Sequence, residues 1–481
     1  MRRVLWAAIA LVLLAACKMG PDYTRPANPG AAPWRMTPAT AESIANLPWW
    51  ELLQDDVLQT LVRISLEENQ DLKLAVASVE EFQARLFIAR TDFIPQASMS
   101  ANGPAFGHLN ANGTRAAGIA SSQTYYVQGN LSWELDIWGR VRRANEAALA
   151  ELLAQEENQR AVILGLVSNV AQAYFDLRAL DLQIDITRRT LQAWEESVRI
   201  SKLRFEHGDV PKLDLDRFEA ERANAAANLA QFQQQVVQKE NQLSVLLGHR
   251  PMAISRGLLL TEQVLSPQIP PGLPSDLLQR RPDILQTEQQ LAAATARIGV
   301  ARAERFPTIS LTGVLGTANP QLSSLFGPGR SFGAAGVGLV GPLLNSQTLG
   351  FQEQAAVAQA KQALALYEQT ILVAFQEVED ALIAIQQTRE QREAQEQQVA
   401  ALQDGYTLAD MRYRGGRATY LDVLTAQRTL FDAELQLADT RRKQLVSVVQ
   451  LYKALGGGWA PRGYPETGGK PSAVSMPQGG K

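Results

Sequence analysis

Of 481 residues only one is a cysteine, Cys17, and only three are histidines, His108, His207 and His249. A single cysteine excludes an intrachain disulfide and a cysteine metal cluster. The histidines are too scattered to form a local metal-binding motif. Neither charge dominates: 46 Lys+Arg face 49 Asp+Glu, for a formal net charge of −3. A nucleic-acid binder would show a basic face or tail, so nucleic acid is not an expected partner. There is no Gly-rich loop leading into Lys-Ser/Thr, no HExxH pair and no GxSxG elbow. The glycines between Ser331 and Gly341 fall in strand-like alternation and do not form a phosphate loop. The chain therefore does not read as an enzyme, and no metal or diffusible cofactor is expected. After the first residues no uncharged apolar run reaches the roughly 18 residues of a membrane-spanning helix. What is present is 46% hydrophobic and 7% aromatic residues, so the chain is not disordered.

Residues 1–16 have the form of a secretory signal. Arg2 and Arg3 precede an uncharged stretch from Val4 to Leu14, followed by Ala15-Ala16. Leu14-Ala15-Ala16-Cys17 resembles a bacterial lipobox. That resemblance implies that Cys17 becomes the first mature residue and carries covalent lipid on its thiol and amine. The next residue is Lys18, not the aspartate of the usual inner-membrane retention signal. Residues 17–48 read as a lipidated, extended N-terminal tether, with Pro21, Pro26, Pro29, Pro33 and Pro38 in its first part.

The body is written twice. A shift of 208 residues lays Leu203-Arg204-Phe205 on Met411-Arg412-Tyr413, Gly208 on Gly416, Leu213-Asp214-Leu215 on Leu421-Asp422-Val423, and Leu247-Gly248 on Leu455-Gly456. Nearer the start of each copy the shift is 212, pairing Asp71 with Asp283 and Arg90 with Arg302. The slip falls where a loop changes length. Residues 49–260 form the first repeat and 261–458 the second. Residues 459–481 are Pro/Gly-rich and read as a flexible tail.

Each repeat changes period along its length. Ile163, Val170, Leu177, Ile184, Leu191, Val198 and Phe205 are apolar at a step of seven, with Thr187 and Ser201 interrupting the partner positions. The second copy repeats this with Ile371, Val378, Ile385, Val399, Tyr406 and Tyr413, broken by Arg392. These are coiled-coil seams. No proline interrupts 139–210. A helix of that span is roughly 100 Å long and must pack against similar rods. Glycine-marked turns at His207-Gly208-Asp209 and Gly415-Gly416-Arg417 end each rod, and a second helix returns to about Leu247 or Leu455.

Four stretches alternate instead with period two, near 95–135 and 307–343. Tyr125, Val127, Leu131, Trp133 and Leu135 oppose Tyr126, Gln128, Asn130, Ser132 and Glu134. Similar faces occur over Gln96–Gly103 and Thr308–Leu315. The fourth stretch, near Phe332 to Leu343, alternates least clearly. Transmembrane barrel strands have this pattern; a soluble sheet with one wet face accounts for it equally well. In a membrane, four strands could not close a barrel, because known single-chain bacterial barrels start at about eight. Open edges are not tolerated in lipid, so several copies would have to share one wall.

Several stretches, taken in order and with the duplication, resemble the TolC family of outer-membrane efflux proteins, in its lipidated branch serving RND-type drug pumps. They are Cys17 with Gly20-Pro21-Asp22-Tyr23, Arg280-Arg281-Pro282-Asp283-Ile284, Ala301 to Pro307, Tyr420 to Leu424, and Ala454 to Trp459. The resemblance implies a homotrimer with a 12-strand β-barrel in the outer membrane and a 12-helix α-barrel in the periplasm. It implies a passive conduit, joined by a periplasmic membrane-fusion adaptor to an inner-membrane RND-type pump. It also assigns roles. Leu421 and Asp422 match constriction residues of the periplasmic gate, while Thr425 stands where the family often has a second acid. Tyr413 matches a latch tyrosine whose family partner would fall at Ala418; Arg414 and Arg417 are the nearby candidates for that part. Gly208 and Gly416 match tip glycines where adaptor hairpins dock. A helix-start carboxylate and simple C-caps account for Asp422 and the glycines in purely structural terms. A lipid-anchored periplasmic coiled-coil scaffold without a pore is the alternative function.

Overall fold

The computed structural model describes residues 18–26, 44–46, 48, 52–103, 124–263 and 277–457. Cys17, the signal and the C-terminal tail lie outside the described residues. The element order runs α1 (Asp56–Glu68), α2 (Gln70–Thr91), β1 (Gln96–Asn102), β2 (Tyr125–Leu135), α3 (Arg140–Glu206) and α4 (Lys212–Leu246). It then runs again as α5 (Leu277–Arg280), α6 (Pro282–Ala303), β3 (Thr308–Asn319), β4 (Ser331–Val340), α7 (Ser346–Arg414) and α8 (Tyr420–Ala454). Spatially the chain sorts into two compact units, one of residues 1–27, 74–159 and 286–370, the other of 28–73, 160–285 and 371–481. Each unit draws on both sequence repeats.

The first unit holds the sheet, a four-stranded antiparallel meander in the order β1-β2-β3-β4. Its central pair joins the two repeats, with Leu131 opposite Gly313 and Leu135 opposite Ile309. The register resolves the faint alternation of the fourth strand. Trp133, Leu311 and Val337 fall in one row, and Leu135, Ile309 and Leu339 in the next. Met99, Leu131, Leu315, Val337 and Leu339 share this face, all exposed. The opposite face carries Ser100, Gln128 and Asn130, linked by Gln128 to Asn130 at 3.1 Å and Asn130 to Ser100 at 3.4 Å. β4 stops at Val340, short of the expected Leu343, because Gly341-Pro342 follows and proline offers no ladder N–H. β3 continues to Asn319, beyond the alternation read to Leu315.

The second unit holds the longer part of each rod, from residue 160 of α3 and from residue 371 of α7. α3 has 67 residues and α7 has 69. Along α3 the heptad positions Val170, Leu177, Ile184 and Val198 are buried, and Leu58, Val62, Leu243 and Leu247 from α1 and the end of the return helix complete the core around the first two. Thr187, which interrupts the seam, is fully buried all the same: its hydroxyl donates to the Gln183 carbonyl of its own helix at 2.7 Å. Arg392, the break in the second seam, reaches Glu396 at 3.0 Å, and Arg441 of α8 meets the same carboxylate at 3.0 Å. Asp55, 1% exposed, caps α1 through Val57 and Leu58 amides and also accepts from Tyr174 Oη at 2.9 Å, Leu258 N at 3.0 Å and Gln263 Nε2 at 2.9 Å. Burial pushes this carboxyl up, but those donors outweigh burial and hold it below 3.8. Among the described residues no helix is long and apolar enough to cross a membrane.

Candidate functional site at the hairpin tips

Both rods end in the same hydrogen-bonded turn. At the first, Gly208 N–H donates to Phe205 O at 3.0 Å and Asp209 N–H to Arg204 O at 2.9 Å. At the second, Gly416 N–H donates to Tyr413 O at 3.0 Å and Arg417 N–H to Arg412 O at 2.7 Å. This pair of bonds requires a left-handed residue, supplied by Gly208 at φ +79° and Gly416 at φ +69°. A Cβ on either glycine would meet nothing within 4 Å. Backbone conformation alone therefore asks for glycine here, and the space around both turns is open.

The return helices start differently. α8 follows Thr419, whose N–H and hydroxyl both donate to Asp422 Oδ2, at 2.9 and 2.7 Å. These bonds, with the Arg412 charge, hold the Asp422 carboxyl below 3.8. α4 follows Pro211, which has no N–H to offer Asp214.

The two helix starts meet through aromatic rings. Phe218 of α4, 1% exposed, lies 4.5 Å edge-to-face from Tyr420 of α8 and 6.0 Å from Trp194 of α3. Val198, Leu215 and Ala225 are buried with them, and Tyr413 and Leu424 pack alongside. Tyr420 Oη is buried without a hydrogen-bond partner among the described residues, and burial pushes the phenol up to about 12.

With Tyr420 turned into this cluster and Val423 buried as well, helical geometry sends the neighbouring side chains the other way. Leu421 is 53% exposed, and Asp422 and Thr425 are exposed with it. The three gate candidates thus share the outer face of the first turns of α8. Tyr413 is half-buried, and the guanidinium over its ring, 4.6 Å from the centroid, belongs to Arg204 of α3. Arg414 pairs with Asp410 of its own helix at 2.8 Å, and Arg417 is exposed. Sequence reasoning passed over Arg204 and Thr419. Arg204 sits 209 positions before Tyr413, so no local spacing links them. Thr419 could have been read from the Thr-x-x-Asp start of α8.

A sheet with one exposed apolar face and outer strands unpaired among the described residues, on a chain that also forms long helical rods, fits a channel subunit that supplies part of a barrel wall. Comparison with known proteins agrees. The model of the Outer membrane efflux protein family matches residues 61–249 and 273–457, and the chain belongs to that family. It is 37% identical over 486 residues to the toluene efflux pump outer membrane protein TtgC of Pseudomonas putida, covering 98% of each chain. It resembles the crystal structure of the open state of the MtrE outer membrane channel of Neisseria gonorrhoeae, with a TM-score of 0.82 and 31% identity over 92% of this chain and 98% of that one. The crystal structure of the cation-efflux protein CusC matches with a TM-score of 0.81 and 33% identity, over 92% and 100% of the two chains. The protein is an outer-membrane efflux channel, and its role is transport.

Proposed function

We propose that three copies of this chain form one conduit, with a twelve-strand barrel in the outer membrane and twelve rods enclosing a periplasmic tunnel. The observation that carries this is the sheet: four strands with an exposed apolar face and outer edges that have no strand partner among the described residues. Hydrocarbon demands that those edges be paired, and identical neighbours can pair β4 of one copy with β1 of the next. A pore-less coiled-coil scaffold would use the rods but leave the apolar face without a purpose.

The conduit is passive. An inner-membrane RND-type pump supplies the energy, and a periplasmic adaptor joins the two, docking at the open turns around Gly208 and Gly416. Lipid on the thiol and amine of Cys17 anchors each copy. At the periplasmic end Leu421, Asp422 and Thr425 of three copies converge and narrow the lumen. Three carboxylates in such a ring attract cations and repel anions. Tyr413 with Arg204 holds the second hairpin against the first, and Arg414 and Arg417 stand nearby to serve the same latch. Cargo is whatever the pump delivers.

Detergent-resistant trimers on a gel and single-channel current across a planar bilayer test the conduit; a monodisperse single subunit without current would refute it. Asp422→Ala and Leu421→Ala are each expected to raise closed-state conductance several-fold. Unchanged conductance in both would remove the gate from these residues. A Gly416→Trp variant that still captures the adaptor in a pull-down would argue against docking at the turn.

A further inference from the structure

The residues that follow Cys17 do not simply trail from the body: residues 18–26 lie in a built receptor. Its centre is Arg143, near the start of α3, whose side chain is 2% exposed. Arg143 Nε donates to Met19 O at 2.9 Å, and Nη2 donates to Gly20 O at 2.9 Å and pairs with Asp22 at 3.0 Å. Nη1 donates to Glu146 at 2.9 Å. A buried guanidinium needs most of its five donors occupied, and here the N-terminal segment occupies three of the four contacts. Met19 N–H donates in turn to Trp138 O at 3.1 Å, and Lys18 pairs with Glu146. Further along, Tyr23 and Arg25 both donate to buried Glu288 of α6, at 3.2 and 2.8 Å.

Two glycines make room. Gly20 has φ +85°, and a Cβ on it would stand 2.5 Å from Gly299 Cα; a Cβ on Gly299 would stand 2.6 Å from Met19 O. Gly299 lies inside α6, where glycine otherwise weakens a helix, so the crossing gives its presence a reason.

The location is informative. Trp138 stands three residues past the end of β2, stacked on Phe306 at 4.8 Å with its Nε1 donating to Pro307 O at 2.8 Å, just before β3. The ladder aligns this edge of the sheet: Gln96, Leu135, Thr308 and Val340 all end or begin strands here. Aromatic rings at strand ends mark the membrane surface in outer-membrane barrels.

We propose that residues 18–26 and the Arg143–Gly299–Glu288 receptor form a clasp that holds the segment next to the lipidation site against the body at the sheet's periplasmic rim. The role as an anchor point rests on the lipidation of Cys17. The clasp ties α3 and α6, one from each repeat, to the segment bearing the lipid.

The test digests the full-length, membrane-reconstituted protein with trypsin and follows the Lys18–Met19 bond by mass spectrometry. A closed clasp protects that bond. Arg143→Ala, with the trimer intact on a gel, is expected to be cut about ten-fold faster or more, because cleavage tracks the population of the locally open form. Equal rates in the native protein and this variant would overturn the clasp. Should Arg143→Ala fail to fold, hydrogen exchange of the native protein decides: a Met19 amide as protected as those of β2 supports the clasp, and exchange at the rate of a free peptide overturns it. The mass of the released Cys17–Lys18 fragment separates the two claims. An unacylated fragment with a protected Met19 removes lipidation and the anchor role, whereas an acylated fragment from a freely exchanging segment removes the clasp alone.

Discussion

At the first hairpin tip Pro211 precedes the return helix; at the second, in the equivalent place, stands Thr419. The two tips otherwise share a plan: a rod, a left-handed glycine, a three-residue approach and an aspartate in the first turn of the return helix. Proline fixes φ but removes the N–H that an aspartate three residues on could accept. Threonine supplies both an N–H and a hydroxyl to Asp422. Equivalent positions therefore carry different chemistry. Asp422 is tied back to its own helix start, on the exposed face it shares with Leu421 and Thr425. A repeat conserves backbone geometry more readily than the side chains on it, so the two tips need not do the same work.

The largest expected effect tests what the tips share. Phe218→Ala empties the contact between the two helix starts and should destabilise the tip region by about 3–5 kcal/mol, read as a lowered helical melting temperature. A loss below about 1 kcal/mol would mean that the tips are not held by this ring. Gly208→Ala and Gly416→Ala should each cost about 1–2 kcal/mol through left-handed strain, and nearly equally, since neither turn has an obstructing atom within 4 Å. A clear inequality would point to a contact made by one tip alone.

The third prediction separates the tips. Acid should loosen the start of α8 more than that of α4, which has no Thr419-type donors on its aspartate. The folded Asp422 carboxyl lies below its ordinary 3.8, so its cap is fully present above that value and is lost as pH falls through the lowered one. Hydrogen exchange of the first-turn amides, compared between pH 6 and roughly pH 3, reads this directly; equal change at both tips would refute it. The smallest effect comes from making the tips alike. Pro211→Thr gives Asp214 the donors that Asp422 has, worth about 0.5–1 kcal/mol of capping against a similar gain in unfolded-chain entropy. Slower exchange at the start of α4 with little change in melting temperature is the expected result.

Much of this was legible in the residues. The heptads announced the rods because burial along a helix repeats every seven positions, and Val170, Leu177 and Val378 are all fully buried. The turn glycines were legible because few residues tolerate positive φ. β4 was harder: Gly333, Gly336 and Gly338 carry no side chain to alternate, and only its register with β3 shows which face is apolar. Thr187 read as a break in the seam, yet it is buried, its hydroxyl satisfied within its own helix. The gate candidates were located by likeness to a family. Their exposure follows from the burial of Tyr420 and Val423, a fact of packing.

Local chemistry determined by itself the helices, the strands, the turns and the arithmetic of four strands that cannot close, because propensity, period and backbone freedom act over a few residues. The tertiary structure alone decided which distant groups meet: Arg204 over Tyr413, Phe218 against Tyr420, Asp55 among five donors, and Arg143 around the backbone of Met19 and Gly20. Such pairs are separated by up to 209 positions, and hydrogen bonds and ring contacts act over only a few ångströms. No spacing along the chain encodes them until the rods and the sheet bring them together.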